Sequence, residues 1–218
     1  MEKFTTWTAV AVPLDQPNID TNQLCPTRFN KLEKGPKFAR VLFHDLRFHP
    51  DGSDKQDFVL NEPRYRNAGI IVAERNFGCG SSRESAVYAL AAFGIRAVVA
   101  PSFGDIFFNN CMKNGLVPVV LEDKVCAAMR AGLHARPGAE ITVDLGRQIV
   151  VDASGNEQAF AFHPLRRRCL VEGLDDISLT AEFRELIGPF EAAYRRQYPW
   201  LAGPSGSAAG QDGRGSSS

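Results

Sequence analysis

The sequence predicts an α/β fold built on a largely parallel sheet, and three observations carry that expectation. Strand-length runs rich in β-branched residues recur at Gly69–Ala73, Ile95–Ala100 and Leu116–Leu121. Helix-length segments, Arg83–Phe93 and Pro101–Lys113, separate them and end at Gly94 and at Asn114–Gly115. A glycine-containing loop, Glu74–Ser82, lies between the first of these strands and its helix. Strand, helix, strand, helix, strand at this spacing calls for right-handed crossovers and a sheet covered by helices. The loop then falls at the carboxyl end of a parallel strand, where open α/β sheets place ligands.

The flanking elements follow in order. Thr8–Val12 reads as a strand ended by Pro13, and Leu14–Gln23 as an ordered, turn-rich loop. Residues 28–56 are basic, then mixed, with Lys31, Lys34, Gly35, Pro36 and Lys37 reading as a mobile loop, and Val41–Phe43 reads as a short strand. After the central unit, Asp123–Ala131 is a predicted helix, and Ile141–Leu145 and Gln148–Val151 form a predicted hairpin around Gly146–Arg147. Phe160–His163 is expected to be a further strand; Leu165–Glu172 and Thr180–Tyr194 are expected to be helical. From Gly203 the chain is Gly/Ser-rich without apolar periodicity. The expected organisation is one domain over residues 1–200 and a disordered tail over 201–218.

Composition bounds the function. Lys+Arg and Asp+Glu both number 25 in 218 residues, so the basic excess usual in nucleic-acid binding is missing. At 44% hydrophobic residues the chain can build a core, and no run approaches the roughly 18–20 apolar residues of a membrane span. The N-terminus lacks a basic start followed by an apolar core, so no signal peptide is expected and the expected compartment is cytoplasmic. The cysteines, Cys25, Cys79, Cys111, Cys126 and Cys169, are odd in number and widely spaced, and the four histidines are scattered. Neither a disulfide framework nor a complete metal site is expected from this chain alone.

The chemistry concentrates in Asn76-Phe-Gly-Cys-Gly-Ser-Ser-Arg-Glu84. Gly78 and Gly80 allow backbone shapes closed to other residues. The N–H groups opening the next helix can hold an anion, but the glycine spacing is not that of a dinucleotide loop. Ser81 and Glu84 match a capping box, so the bland reading of Ser81 is a helix cap. Arg83 sits at the wrong end of the helix dipole and needs a carboxylate partner, either internal or on a substrate. Ser81, Ser82 and Arg83 together read as a carboxylic-acid site with a hydroxyl beside it. That hydroxyl needs strong donors nearby to act as a base.

Cys79 shares the loop; it is either a thiol of depressed pKa or, more simply, a packing residue. Cys111 reads as a buried small hydrophobe. Asp20 and Thr21 lie in the early loop, where Asp20 either orients an arginine or hydroxyl or forms an Asx turn. Ser102 and Asp105 match a second capping pair, and Asn109 and Asn110 need polar partners to sit in a helix.

Three ordered motifs, NIDTNQLCPTRF, NFGCGSSRESA and GIRAVVAPSFGDIFFNNCMKNGLVPVVL, resemble the small subunit of 3-isopropylmalate dehydratase, which is similar to the swivelling domain of the aconitase superfamily. The resemblance spans about residues 4–195. It implies a three-layer β/β/α swivelling domain with a largely parallel central βαβαβ unit and C-terminal helices. It also implies a large-subunit partner carrying a [4Fe–4S] cluster, bound by that partner and not by this chain. The implied reaction interconverts 2-isopropylmalate and 3-isopropylmalate by dehydration and rehydration in leucine biosynthesis. Carried onto this sequence, Ser81 is the base, and Ser82 and Arg83 bind substrate carboxylate. Asp20 and Thr21 line the same site, and the loop holding Arg28, Lys31, Lys34 and Lys37 recognises the substrate's side chain.

Two positions depart from the family pattern: Asn22 stands where a second acid is usual, and Ser85 where a histidine is usual. With Cys79 they are candidate pocket-tuning residues. The alternative readings are a related hydro-lyase for an alkyl-substituted malate or maleate, a non-catalytic paralogue that stabilises its partner, and a stand-alone enzyme using Cys79 as nucleophile.

Overall fold

The computed structural model of the chain describes residues 1–33, 35–80 and 84–201. Four predicted site residues, Lys34, Ser81, Ser82 and Arg83, and the Gly/Ser-rich tail beyond Leu201 lie outside the described residues. The chain divides into two compact units, Met1–Asp175 and Asp176–Ser218.

The first unit is organised by a seven-stranded mixed sheet of order β4-β3-β2-β1-β5-β6-β7. Its strands are β1 (Thr6–Leu14), β2 (Ile70–Ala73), β3 (Ala97–Ala100), β4 (Val117–Val120), β5 (Glu140–Asp144), β6 (Ile149–Val151) and β7 (Glu157–Ala159). Strands β1 to β4 are parallel, and β5 joins β1 antiparallel and continues as the hairpins β5–β6 and β6–β7. The central unit is thus the predicted parallel βαβαβ, with an antiparallel extension on the far side of β1.

The first unit's helices are α1 (Thr21–Leu24), α2 (His44–Arg47), α3 (Glu84–Phe93), α4 (Asp105–Lys113), α5 (Asp123–Ala135) and α6 (Pro164–Glu172). The period-2 alternation of a strand decides which helix meets which residue. Ile71, Ala73, Val98 and Ala100 share a buried cluster with Ala86, Leu90 and Phe107 of α3 and α4. Ile70, Val72, Ala97 and Val99 face the other way, into a cluster with Cys126, Met129 and Leu133 of α5 and Leu170 of α6. Both faces of the parallel strands are covered, which is why those strands read as continuous apolar runs.

Several local expectations are corrected. Pro13 does not end β1; it pairs with Val72 of β2 inside the strand. The N–H of Ala11 points to the opposite side, toward the carbonyl of Ala139, so the missing N–H of Pro13 faces that side too. There β5 pairs only with Thr6–Val10, and the absent donor breaks no ladder. The strand expected at Val41–Phe43 is instead the end of a 3₁₀ turn, Pro36–Val41, followed by Phe43 at φ +52. The last strand is Glu157–Ala159 and not Phe160–His163. An Asx turn, in which Asp152 Oδ1 accepts from the N–H groups of Ser154 and Asn156, brings the chain back onto β6 early. Ser102 does not cap α4: Gly104 is the N-cap, and Ser102 serves the neighbouring loop.

The second unit contains α7 (Asp176–Ala181), α8 (Arg184–Gln197) and a 3₁₀ turn at Pro199–Leu201. The predicted helix over Thr180–Tyr194 is therefore interrupted. The N–H groups of Glu182 and Phe183 bond three residues back, to Leu179 and Thr180, in a tight turn that separates the two helices. No helix among the described residues is long and apolar enough to cross a membrane.

Candidate functional site

Because β1, β2 and β3 are parallel, their carboxyl ends lie on one edge of the sheet. The loops leaving them are stitched together by backbone bonds. The N–H of Gly78 donates to the carbonyl of Ile19 at 2.7 Å, and the N–H of Thr21 donates to the carbonyl of Cys79 at 2.9 Å. On the other side, the N–H of Phe77 reaches the carbonyl of Ser102 at 3.0 Å and the N–H of Gly104 reaches the carbonyl of Phe77 at 2.9 Å. The hydroxyl of Ser102 accepts from the N–H of Asn76 at 2.8 Å. The 74–80 loop thus lies between the other two, bonded to both.

Side chains explain how this loop keeps its path. Gly78 has φ +71, and a Cβ placed there would come within 2.2 Å of Cγ of Phe107. Phe107 stands edge-on to Phe77 at 5.5 Å, so the glycine lets the backbone lie against an aromatic cluster. Asn76 and Asn18 are both at positive φ, and Asn76 Nδ2 donates a hydrogen bond to Asn18 Oδ1 at 2.8 Å. Their signal is the tolerance of Asn for the left-handed region.

The structure brings together most of the predicted site residues that it describes. Asp20 caps α1: its Oδ1 accepts from the N–H of Gln23 at 2.8 Å, and Gln23 Oε1 accepts from the N–H of Asp20 at 2.9 Å. The capping role is therefore the one on view. Thr21 is buried, and its Oγ1 is 3.6 Å from where a Cβ on Gly80 would sit, so this hydroxyl faces the turn that leads into Ser81. Asn22 Oδ1 accepts from the hydroxyl of Thr27 at 2.9 Å. Ser85, on the first turn of α3, donates to Oδ1 of Asn30 at 3.0 Å and so joins that helix to the start of the basic loop. Glu84 accepts from the hydroxyl of Tyr88 at 2.9 Å.

Cys79 does not have a depressed pKa. Burial, and secondarily the charge of Asp20, push the thiol up, and its Sγ lies 3.5 Å from the carbonyl of Asn18. The loop thus favours the neutral thiol, the opposite of what a cysteine nucleophile needs. Cys111 is fully buried with its pKa raised, as a core residue. Asn109 bonds the carbonyl of Asp105 within its own helix.

Arg28 is drawn to α2. Its guanidinium makes a two-pronged contact with Asp45, with Nη1–Oδ2 at 3.0 Å, and Nη2 lies 3.2 Å from Nδ1 of His44. The Arg28 bond holds the Asp45 carboxyl down at about 2. A cleft of about 510 Å³ opens beside them, with His49 and Lys55 on its walls. Lys31 and Lys37 are exposed.

A second group not anticipated from sequence lies beneath the loops. Arg130, buried on α5, donates from Nε to Oδ1 of Asp15 and from Nη1 to the carbonyl of Ala73, both at 3.0 Å, and pairs through Nη2 with Glu74. His134, one turn further along α5, has Nε2 at 2.6 Å from Oδ2 of Asp15. The available signal was position: Arg130 follows Cys126 by four residues and precedes Leu133 by three, on the apolar stripe of its helix.

Among the described residues, no three His, Cys, Asp or Glu side chains are gathered as a metal site requires. The five cysteines are free thiols. These residues do not fit an iron–sulfur cluster, which takes cysteine thiolates as ligands.

Comparison with known proteins gives a consistent result. Residues 1–124 match the model of the aconitase C-terminal domain family. The 3-isopropylmalate dehydratase small subunit of Gluconacetobacter diazotrophicus is 50% identical over 200 residues, covering 92% of this chain and 97% of that protein. The small subunit of Paramagnetospirillum magneticum is 46% identical over 201 residues, covering 92% of this chain and all of that protein. The crystal structure of 3-isopropylmalate dehydratase from Methanocaldococcus jannaschii shares the fold, with a TM-score of 0.60 at 22% identity over 85% of this chain and 99% of that one. An α/β swivelling-type sheet, three loops gathered at one strand edge and near-full-length identity of this size have one reading: the chain belongs to the 3-isopropylmalate dehydratase small-subunit family of the aconitase superfamily.

Proposed function

We propose that this chain, assembled with a large subunit that carries a [4Fe–4S] cluster, interconverts 2-isopropylmalate and 3-isopropylmalate by dehydration and rehydration. The observation that carries the proposal is the joining of the 15–24 and 74–80 loops by the Thr21 to Cys79 bond, directly before Ser81-Ser82-Arg83 in sequence. The cluster's chemistry when bound is that of a Lewis acid on the leaving hydroxyl, and the proposal assigns its ligands to the large subunit.

This chain's part is the proton and the grip. Ser81, as the alkoxide, takes the proton from the carbon next to a substrate carboxylate. The C–H electron pair becomes the new double bond as hydroxide leaves the adjacent carbon. Return of water with its oxygen on the other carbon completes the isomerisation without redox change. Arg83 suits the carboxylate because a guanidinium offers two parallel donors. Ser82 adds a hydroxyl to that grip, and Asp20 and Thr21 line the site from the neighbouring loop.

The test is co-purification with a large subunit under anaerobic conditions, followed by an absorbance assay for the unsaturated intermediate. Turnover by the pair, none by this chain alone and a loss of at least about 10²-fold in Ser81→Ala are expected. Full turnover in Ser81→Ala would remove the proposed base. A second reading, a hydro-lyase for a differently substituted malate or maleate, is favoured by the Ser85 to Asn30 bond, which puts a small neutral side chain at the start of the basic loop. A panel of alkylmalates separates the two by kcat/KM.

A further inference from the structure

Arg130 takes no part in the chemistry just described, yet its donors end on the roots of both loops that do. Asp15 is the first residue after β1, Ala73 is the last of β2 and Glu74 follows it. One guanidinium, 6% exposed, binds all three: Asp15 and the Ala73 carbonyl at 3.0 Å each, and the carboxylate of Glu74. A buried guanidinium is tolerated only where its donors are met, and here they are met by groups from two adjacent strands. Its helix is held against the sheet by Cys126, Met129 and Leu133, so the anchor point has little freedom.

Each loop is therefore fixed twice. At the root, Arg130 ties Asp15 to Ala73 and Glu74; further out, the N–H of Thr21 ties the first loop to Cys79 of the second. We propose that Arg130 is a positioning residue for the dehydratase site: it sets the spacing between the loop bearing Asp20 and Thr21 and the loop that leads into Ser81–Arg83. The planar fork of arginine reaches three acceptors in fixed directions, which a lysine ammonium on the same stem does not reproduce. A misplacement of ~1 Å between reacting groups can cost about 10²-fold in rate, so an anchor remote from the substrate has leverage on turnover. This inference rests on the assignment of those loops to the site.

The experiment compares wild type, Arg130→Met, Arg130→Lys and Asp15→Asn, each purified as the complex with a large subunit. Steady-state kinetics are read beside hydrogen exchange of peptides from residues 15–24, 74–80, β3 and β4. In Arg130→Met, kcat/KM is expected to fall at least about tenfold, with faster exchange confined to the two loop peptides. Arg130→Lys should recover part of the loss, and Asp15→Asn should show a smaller loss in the same direction. A kcat/KM within about twofold of wild type in Arg130→Met overturns the proposal. So does faster exchange spread evenly through β3 and β4, the mark of general structural support. Should Arg130→Met not fold, Asp15→Asn at its half-exposed position reads the same two quantities, and unchanged values in it overturn the proposal. If the wild-type complex itself does not turn over isopropylmalate, or Ser81→Ala turns over normally, the reading of the site fails; the exchange data then still decide whether the clamp exists.

Discussion

The N–H of Thr21 donates to the carbonyl of Cys79 at 2.9 Å, closing a backbone bridge between two loops 58 positions apart in sequence. The bridge runs parallel, pairing Asp20 with Cys79, so it extends the β1–β2 pairing a few residues past the end of the strands. It gives the candidate site a frame of main-chain bonds, which side-chain substitution leaves in place. Its weak points are the residues that hold the loops at the required angles.

Gly78 is the first of these. Its φ of +71 disfavours any side chain, and an added Cβ would fall 2.2 Å from Phe107. Gly78→Ala should destabilise the protein by about 2–4 kcal/mol, from overpacking and the left-handed backbone together. Urea denaturation measures this, and a midpoint equal to wild type would contradict the geometry.

Asp20 separates capping from any role with substrate. Asp20→Ala removes the bond to the N–H of Gln23 and should cost about 0.5–2 kcal/mol. Asp20→Ser keeps a capping oxygen and should restore most of that stability. If Asp20 also serves the substrate, the serine variant's complex will be stable yet show a raised KM. Denaturation and steady-state kinetics on the same two variants distinguish the roles.

The Arg28–Asp45 pair predicts a pH effect of defined sign. The Arg28 bond lowers the Asp45 carboxyl from 3.8 to about 2. A carboxyl depressed on folding stabilises the native state above its unfolded pKa and loses that contribution as pH falls through the folded value. Wild type should therefore lose this contribution between about pH 4 and pH 2, and Asp45→Asn should lack that part of the slope. Both side chains are more than half exposed, so the effect at neutral pH should stay below about 1 kcal/mol and shrink with salt. Thermal melts at stepped pH, with and without added salt, provide the check.

Cys79 should behave as an unreactive thiol. Burial and the Asp20 charge both raise its pKa, so less thiolate is present at neutral pH than in a free cysteine. Iodoacetamide should modify it more slowly than glutathione at pH 7.5, and Cys79→Ala should leave turnover of the complex within about threefold of wild type. Rapid alkylation with parallel loss of activity would revive the nucleophile reading.

The parts that were legible in the sequence are those set by local pattern. The runs at Ile70–Ala73, Ala97–Ala100 and Val117–Val119 are apolar at every step because both faces of a parallel sheet are covered, and their order with the intervening helices implies the topology. Gly78 and Gly80 announce left-handed backbone, and both adopt it. Pro13 misled because a proline's cost depends on which side of the strand its missing N–H faces, and that depends on where β5 stops. Ser102 misled because its spacing from Asp105 fits a cap, whereas the N–H of Asn76, 26 residues earlier, takes its hydroxyl.

What the sequence determined by itself is the βαβαβ unit, the loop that carries Gly78 and Gly80, and membership in a family. Each depends on short-range periodicity or on ordered motifs, which a linear reading preserves. What only the tertiary structure decided is pairing at long range: Thr21 with Cys79, Ser85 with Asn30, Arg28 with Asp45, and Arg130 with both Asp15 and Glu74. The physical reason is that a hydrogen bond or an ion pair forms where groups meet within about 3 Å. Chain topology brings together residues separated by tens of positions, and no local propensity records which of them will meet.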